Sequence, residues 1–174
     1  MAPDVIEPTA SDIVNSIGEL LALDDVRLDL DVSNKTQLLE QVAALLATRH
    51  GLSKTFILES LTAREQLGST GVGHGVAIPH ARMNQCAVPA SAFVRTKVAI
   101  PFDAPDGKPV SLVFLLLVPE QATEQHLRVL SELAQMLSDR ELREKLSTDT
   151  DAGTLHQHIT AWQPHVADQR RAAV

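Results

Sequence analysis

Apolar residues recur at helical spacing in several stretches of the chain. One predicted helix starts after Ser33 or Asn34 and ends at Gly51, and a second starts at Ser53 and ends at Leu67. Because the loop between them is short, the two are predicted to form an antiparallel hairpin. Other helices are predicted over residues 11–21, 124–137, 138–146 and 151–162. The helix over 124–137 is marked by an apolar stripe of Leu127, Leu130, Leu133, Ala134 and Leu137.

Four other stretches have the pattern of β-strands. Residues 26–32 and 91–100 alternate between apolar and polar, residues 76–78 form a short apolar run, and residues 110–118 are almost continuously apolar. A continuous apolar strand is typical of the centre of a sheet that is covered on both faces. Strands that interleave with helices predict an α/β domain of three layers, with helices on both faces of the sheet. The turn residues Asp106-Gly107 predict an antiparallel pair, and therefore a mixed sheet.

Length, composition and charge narrow the class of protein. The 174 residues are predicted to form one domain over residues 11–162, between an N-terminal arm at 1–10 and a flexible C-terminal tail at 163–174. The net charge of −7 argues against a nucleic-acid partner. No apolar run reaches the roughly 20 residues that cross a bilayer, and the N-terminus lacks a basic signal region. We therefore expect a cytoplasmic protein that contacts membranes only through its partners.

Candidate chemistry is concentrated between Arg64 and Arg82. Glycines at every second position, residues 71, 73 and 75, allow close backbone approach or positive φ there. Pro79 then ends the short apolar run and restricts the residue before it to an extended conformation. The next residue is His80. A histidine in so rigid a position, with an arginine on either side in the sequence, is a candidate nucleophile.

A second histidine, His126, is predicted in the first turn of the helix that follows Pro119. Unpaired backbone N–H groups and the helix dipole make such a position suitable for an anion, and we expect the side chain to project from the helix end rather than into the apolar stripe. The two histidines with Arg64 and Arg82 suit transient handling of a phosphoryl group, which requires mainly positioning and charge stabilisation. The nucleotide-binding pattern G-x-x-x-x-G-K-[ST] does not occur, so ATP is not the expected donor. The remaining histidines, apart from His74, are interpreted as surface or satisfied core residues.

Two sequence blocks resemble a known family. The run G-S-T-G-V-G-H-G-V-A-I-P-H-A-R, preceded by Arg64-Glu65, resembles the active-site segment of the fructose/mannitol-class enzyme IIA domains of the bacterial phosphoenolpyruvate-dependent phosphotransferase system. The run F-D-A-P-D-G-K-P-V-S-L-V-F-L-L-L-V-P, followed by residues 124–127, is similar to the same family. The resemblance extends over residues 11–162 and is strongest to the nitrogen-related branch, which occurs as a single free-standing domain with the wording R-E-Q-L-G-S-T-G.

The resemblance implies a fold and a role for each matching residue. It implies a mixed five-stranded sheet between helices, with no cofactor and no metal. His80 matches the histidine that receives the phosphoryl group on Nε2, from a phosphohistidine on the small carrier HPr or its nitrogen-branch counterpart. His126 matches the histidine that stabilises this group, and Arg64 matches the arginine that completes the pocket. If Nε2 is the nucleophile, a backbone carbonyl or a hydroxyl should hold Nδ1–H, and Ser69 or Thr70 lies where a hydroxyl could do so. The implied targets include potassium-transport and nitrogen regulators.

Other interpretations stay open at this point. A sugar-transport enzyme IIA, which passes the group to an enzyme IIB, would use the same residues. A metal site could be built from His74, His80 and His126, although no carboxylate lies at ligand spacing. His80 could instead be structural, in an interaction domain without catalysis. His74 replaces a small or amide residue of the family pattern; it is either a bystander or a pH-sensitive charge near the site.

Overall fold

A computed structural model describes residues 15–164, apart from residues 85, 87 and 122 and the side chains of residues 123 and 125. The predicted arm at 1–10, the predicted helix cap at Ser11-Asp12 and the predicted tail beyond Pro164 lie outside the described residues. The first helix begins at Ser16, where the side chain of Asn15 accepts a hydrogen bond from the backbone N–H of Gly18 at 2.8 Å. The assignment of residues 11–162 to a single domain stays a prediction.

The helices begin and end close to the residues that the sequence indicated. Asn34, Ser53, Asp139 and Asp151 are N-caps whose side chains accept backbone N–H groups, and Gly51 ends a helix in the left-handed conformation. In the described residues none of the helices is long and apolar enough to cross a membrane. The helices are α1 (Ser16–Leu20), α2 (Lys35–His50), α3 (Lys54–Leu67), α4 (Thr123–Leu137), α5 (Arg140–Thr148) and α6 (Ala152–Thr160), with a 3₁₀ turn at Leu23–Asp25.

The strands are β1 (Val26–Leu30), β2 (Gly71–Gly73), β3 (Val76–Ala77), β4 (His80–Met83), β5 (Ala90–Ile100) and β6 (Val110–Pro119). They form one mixed sheet in the order β1-β5-β6-β3-β2, with β4 also paired to β6. β5 and β6 are antiparallel, as the turn at Asp106-Gly107 predicted, and β2 and β3 are antiparallel as well. β1 pairs in parallel with β5, and β3 and β4 pair in parallel with β6.

The sheet has six strands among the described residues, where the resemblance implied five. The difference arises at Pro79, because β3 and β4 both pair with β6 and lie one after the other along it. Proline has no backbone N–H to donate to a ladder, so it interrupts what would otherwise be one strand. None of the strand patterns in the sequence includes residues 80–83, but in the structure His80–Met83 forms β4.

Two apolar cores lie on opposite faces of the sheet, which confirms the three-layer arrangement. The core on one face includes residues from α2 and α3, and the core on the other includes residues from α1, α4, α5 and α6. Along β6 the side chains alternate between them: Val113, Leu115 and Leu117 belong to the first core, and Leu112, Phe114, Leu116 and Val118 to the second.

The buried face of α4 differs from the predicted stripe. Leu127 is 63% exposed, and Ala134 is exposed as well. Leu133 and Leu137 are buried as predicted and Leu130 packs partly buried against the same core, but Val129 and Met136 are buried as well. The leucine pattern was ambiguous because the helix carries apolar residues on more than one side, and only contact with the sheet shows which side is covered.

Candidate active site

His80 is the first residue of β4 and is only half-buried. It is fixed in the sheet by its pairing with Leu116 on β6 and by Pro79, whose carbonyl accepts the backbone N–H of Leu116 at 3.0 Å. The ring nitrogen Nδ1 lies 2.8 Å from the carbonyl oxygen of Ile78. Because a carbonyl oxygen can only accept, Nδ1 carries the hydrogen, and the lone pair of the neutral ring is on Nε2.

His126 lies beside His80, with 5.8 Å between the two ring centroids. It stands in the first turn of α4, as predicted, but its side chain is 5% exposed and lies on the face that Val129 and Leu133 bury. The expectation that the ring projects away from the buried face was therefore wrong. Its Nδ1 is buried and has no hydrogen-bond partner among the described residues.

Two arginines line the same depression as the histidines. Arg64 lies in the last turn of α3, where its Nη1 donates to the carbonyl oxygen of Gly68 at 2.8 Å. Arg82 is two residues after His80 on β4, and alternate residues of a strand share a face. The depression has a volume of about 690 Å³ and is otherwise mainly apolar, with Leu67, Leu127 and Leu130 among its lining residues.

The hydroxyls of Ser69 and Thr70 do not contact the imidazole of His80. Ser69 Oγ donates to the carbonyl oxygen of Phe102 at 2.6 Å and accepts from the backbone N–H of Gly71 at 3.0 Å. Thr70 Oγ1 donates to the carboxylate of Glu65. The imidazole is oriented by the carbonyl of Ile78 instead, so neither hydroxyl acts directly on the ring.

The surroundings lower the pKa of both histidines below the ordinary value of 6.5. For His80 burial is the largest cause; the hydrogen bond to Ile78 raises its pKa, the charge of Arg64 lowers it and the charge of Glu65 raises it. For His126 burial again lowers the pKa most, followed by His80 and Arg82. Both rings are therefore mainly neutral at pH 7, which leaves the lone pair on Nε2 of His80 available.

The glycine segment packs tightly beneath the site. A Cβ atom on Gly71 would lie 2.9 Å from Cβ of Ala104, so a larger residue does not fit there without a backbone shift. The backbone N–H of His74 donates to Oδ2 of Asp106 at 2.9 Å. No group of three histidine, cysteine or acidic residues suited to a metal occurs in the described part of the chain.

Sequence reasoning missed several residues that hold the site. A backbone carbonyl was one of the two partners expected for Nδ1 of His80, but the residue that supplies it, Ile78, has no side-chain signature; only the following proline pointed to a fixed conformation there. Glu65 was noted only as the neighbour of Arg64, although its side chain is 5% exposed and paired with Lys35 at 3.0 Å. The position of Glu65 in the sequence, between the end of a predicted helix and the glycine segment, was the signal that could have indicated its role.

The fold is that of a phosphotransferase-system enzyme IIA domain, and the comparison with known families agrees. Residues 19–162 match the family model for the phosphoenolpyruvate-dependent sugar phosphotransferase system, EIIA 2. The match covers most of the chain, so the chain belongs to this family.

Several similar proteins are nitrogen regulatory proteins. The one from Pseudomonas aeruginosa is 46% identical over 127 residues, 72% of this chain and 82% of the relative. The one from Bradyrhizobium diazoefficiens is 39% identical, over 87% of this chain and 98% of the relative. The crystal structure of nitrogen regulatory protein IIA-Ntr from Neisseria meningitidis superposes with a TM-score of 0.81 at 48% identity, covering 84% of this chain and all of that one. These matches confirm the resemblance to the nitrogen-related branch.

Proposed function

We propose that this protein is a phosphocarrier of the nitrogen-related phosphotransferase system and that Nε2 of His80 accepts the phosphoryl group. The observation that carries the proposal is the 2.8 Å contact between Nδ1 and the carbonyl oxygen of Ile78, because it leaves the Nε2 lone pair free. The donor is an HPr-like carrier with a phosphohistidine of its own. No cofactor takes part in the step.

The chemistry is a single displacement at phosphorus. The lone pair on Nε2 of His80 forms a new N–P bond, and the N–P bond of the carrier's phosphohistidine breaks, with its electron pair returning to the carrier's imidazole. Nδ1 keeps its hydrogen throughout. The number of protons on the protein is therefore unchanged. The protein contributes to the transfer mainly by positioning the reactants and by stabilising charge.

Three cationic or hydrogen-bonding groups line the depression that would hold the transferred phosphoryl group. The phosphoryl group adds a charge of roughly −2, which needs compensation on a largely apolar surface. Arg64 and Arg82 line the depression with His80, and the ring of His126 is 5.8 Å away. We assign His126 and Arg64 to stabilisation of the phosphoryl group and Arg82 to a supporting charge.

The rim of the depression suits a protein donor. Leu67 is 86% exposed and Leu127 is 63% exposed, and both line the depression that contains His80. Exposed apolar residues around a polar centre are typical of a surface that another protein covers. A docked carrier would bury these leucines and exclude water from the transfer.

Sugar transport is the second candidate, because fructose-specific relatives also match. A fructose-specific EIIA component from Haloferax volcanii is 45% identical, but over 51% of this chain and 58% of the relative. The nitrogen regulatory relatives are matched over most of their length, so regulation is favoured. Regulated targets, proposed from the family resemblance, are potassium-transport or nitrogen regulators that distinguish the two phosphorylation states.

The test is phosphoryl transfer in a purified system of phosphoenolpyruvate, enzyme I and the nitrogen-branch carrier. We expect one acid-labile phosphoryl group per chain, mapped to His80 by peptide mass spectrometry. His80→Ala abolishes labelling. The matched control is His158→Gln, which changes a partly exposed histidine on α6 and leaves labelling unchanged. Labelling of His80→Ala at the wild-type rate would contradict the assignment.

Addition of a fructose-type enzyme IIB to the labelled protein separates the two candidates. A regulatory phosphocarrier keeps its label on the timescale of transfer from the nitrogen-branch carrier. Rapid loss of label to the sugar-specific enzyme IIB would instead establish the transport function.

A further inference from the structure

A continuous series of contacts leads from helix α2 to the ring of His80, and we call it the Glu65 relay: Lys35, Glu65, Thr70, Ile78 and His80. Its centre is the carboxylate of Glu65, in the last turn of α3, whose side chain is 5% exposed. Oε2 accepts from Lys35 Nζ at 3.0 Å and from the backbone N–H of Thr70 at 3.3 Å, and Oε1 accepts from the Thr70 hydroxyl. Both oxygens therefore have donors.

The relay continues through the backbone. The carbonyl oxygen of Thr70 accepts the backbone N–H of Ile78 at 3.0 Å, which closes the open end of the β2–β3 hairpin. The carbonyl of Ile78 in turn accepts Nδ1–H of His80 at 2.8 Å. A displacement of Thr70 would therefore move the backbone of Ile78, whose carbonyl orients the imidazole.

A buried carboxylate at this place needs an explanation. Removal of a carboxylate from water costs free energy unless it is paired and fully hydrogen-bonded. Lys35 supplies the opposite charge, and its ammonium group also lies 4.4 Å from the centre of the Phe102 ring. An apolar side chain would fill the same space without this cost, but it would not hold the N–H and the hydroxyl of Thr70 together.

We propose that Glu65 is a positioning residue for phosphoryl acceptance: through Thr70 and the backbone N–H and carbonyl of Ile78 it holds His80 in the Nδ1–H tautomer, with Nε2 directed into the depression. The consequence for transfer depends on the proposed function of His80. The effect of Glu65 on the tautomer of His80 does not depend on that function, and it can be measured without any phosphoryl donor.

The tautomer of His80 is read directly by ¹⁵N NMR of the imidazole nitrogens, with the His80 signals assigned by their loss in His80→Gln. In the wild type we expect mainly the Nδ1–H form. Glu65→Gln and Thr70→Val shift the ring toward a mixture of both tautomers, whereas Thr70→Ser retains the hydroxyl and restores the wild-type signal. Phosphoryl acceptance from the carrier falls about 10- to 100-fold in Glu65→Gln and Thr70→Val, as expected for a misplaced nucleophile, and recovers in Thr70→Ser.

The matched control is Glu40→Gln. It removes the other glutamate–lysine pair between α2 and α3, in which Glu40 and Lys54 are 3.8 Å apart and both largely exposed. It leaves both the tautomer and the rate unchanged. If Glu65→Gln does not fold, the comparison of Thr70→Val with Thr70→Ser decides the question in its place.

The outcomes separate this proposal from the proposed function. A wild-type protein that accepts the phosphoryl group, with unchanged tautomer and rate in Glu65→Gln and Thr70→Val, overturns the relay and leaves the phosphocarrier intact. A tautomer shift in these variants, together with a wild type that takes no label, supports the relay and overturns the phosphocarrier.

Discussion

The pKa of His80 is set by two groups of effects that oppose each other. Burial and Arg64 favour the neutral ring, whereas the carbonyl of Ile78 and the carboxylate of Glu65 favour the protonated one. Burial is the largest of these causes, and the net effect is a lowered pKa. The ring is therefore both oriented and deprotonated before a donor docks.

An NMR titration of the histidine ring protons tests this balance. We expect the signal of His80 to titrate with a midpoint below 6.5, the ordinary value for histidine. In Glu65→Gln the midpoint falls further, because the negative charge that raises the pKa of His80 is lost. A midpoint above 6.5 in the wild type would show that burial does not dominate.

Arg64 both donates a hydrogen bond to a backbone carbonyl and carries a positive charge, and substitutions can separate these two contributions. Arg64→Ala removes the bond to the Gly68 carbonyl and the positive charge, so we expect phosphoryl acceptance to fall about 100-fold, as for loss of one stabilising donor at a transition state. Arg64→Lys keeps the charge but not the planar fork, and we expect an intermediate rate. Steady-state transfer from the carrier measures both; equal rates for all three proteins would remove Arg64 from the site.

The β2–β3 hairpin is the element that links the helical hairpin to His80. Gly73 pairs with Val76, so the loop consists of His74 and Gly75, with φ values of 57° and 76°. Two positive φ angles define a type I′ turn, in which Asn-Gly is the preferred pair. A histidine in the left-handed region is strained, and the bond from its N–H to Asp106 helps to hold it there.

His74→Asn should therefore stabilise the protein. Asparagine tolerates positive φ better than histidine, and we expect a gain of up to about 1 kcal/mol in the free energy of unfolding. His74→Val keeps the backbone N–H but is β-branched, and we expect a loss of about 1–2 kcal/mol. Urea denaturation measures both changes. The same His74→Asn protein tests the open role of this residue: unchanged phosphoryl acceptance marks His74 as a bystander.

Elements with a strong local signal were predicted from the sequence, and elements that depend on neighbours were not. The caps at Asn34 and Ser53 are local side-chain-to-backbone contacts, so their residue types predict them. Strand β4 has no such signal. Residues 80–83 include a histidine and an arginine. They form a strand because they pair in parallel with residues Leu116 to Pro119 of β6.

At the scale of the whole molecule, the site lies where one face of the sheet meets α4 and the end of α3. β4 carries His80, α4 covers that face and carries His126, and the α2–α3 hairpin on the other face supplies Arg64. Because each group comes from a separately packed element, the site depends on the integrity of both cores.

The stability of the molecule should depend on pH through the two histidines. Both have a pKa lower in the folded state than the ordinary 6.5, so below about pH 6.5 the unfolded chain binds more protons and the folded state loses stability. We expect the free energy of unfolding to fall between pH 7.5 and 5.5, and to fall less in the double variant His80→Gln/His126→Gln. Urea denaturation at the two pH values measures this difference; an equal fall in both proteins would contradict it.

The sequence alone determined the succession of helices and strands, the mixed sheet and the rigid segment that ends at His80, because periodicity, caps, glycines and prolines act over a few neighbouring residues. It also carried the family resemblance. Only the tertiary structure decided that the rings of His80 and His126 lie 5.8 Å apart, that His126 lies on the buried face of α4, and that the carbonyl of Ile78, of the two kinds of acceptor expected, holds Nδ1 of His80. The position of His126 depends on how α4 packs against the sheet, and the position of the Ile78 carbonyl depends on how the backbone of residues 78–80 pairs within it.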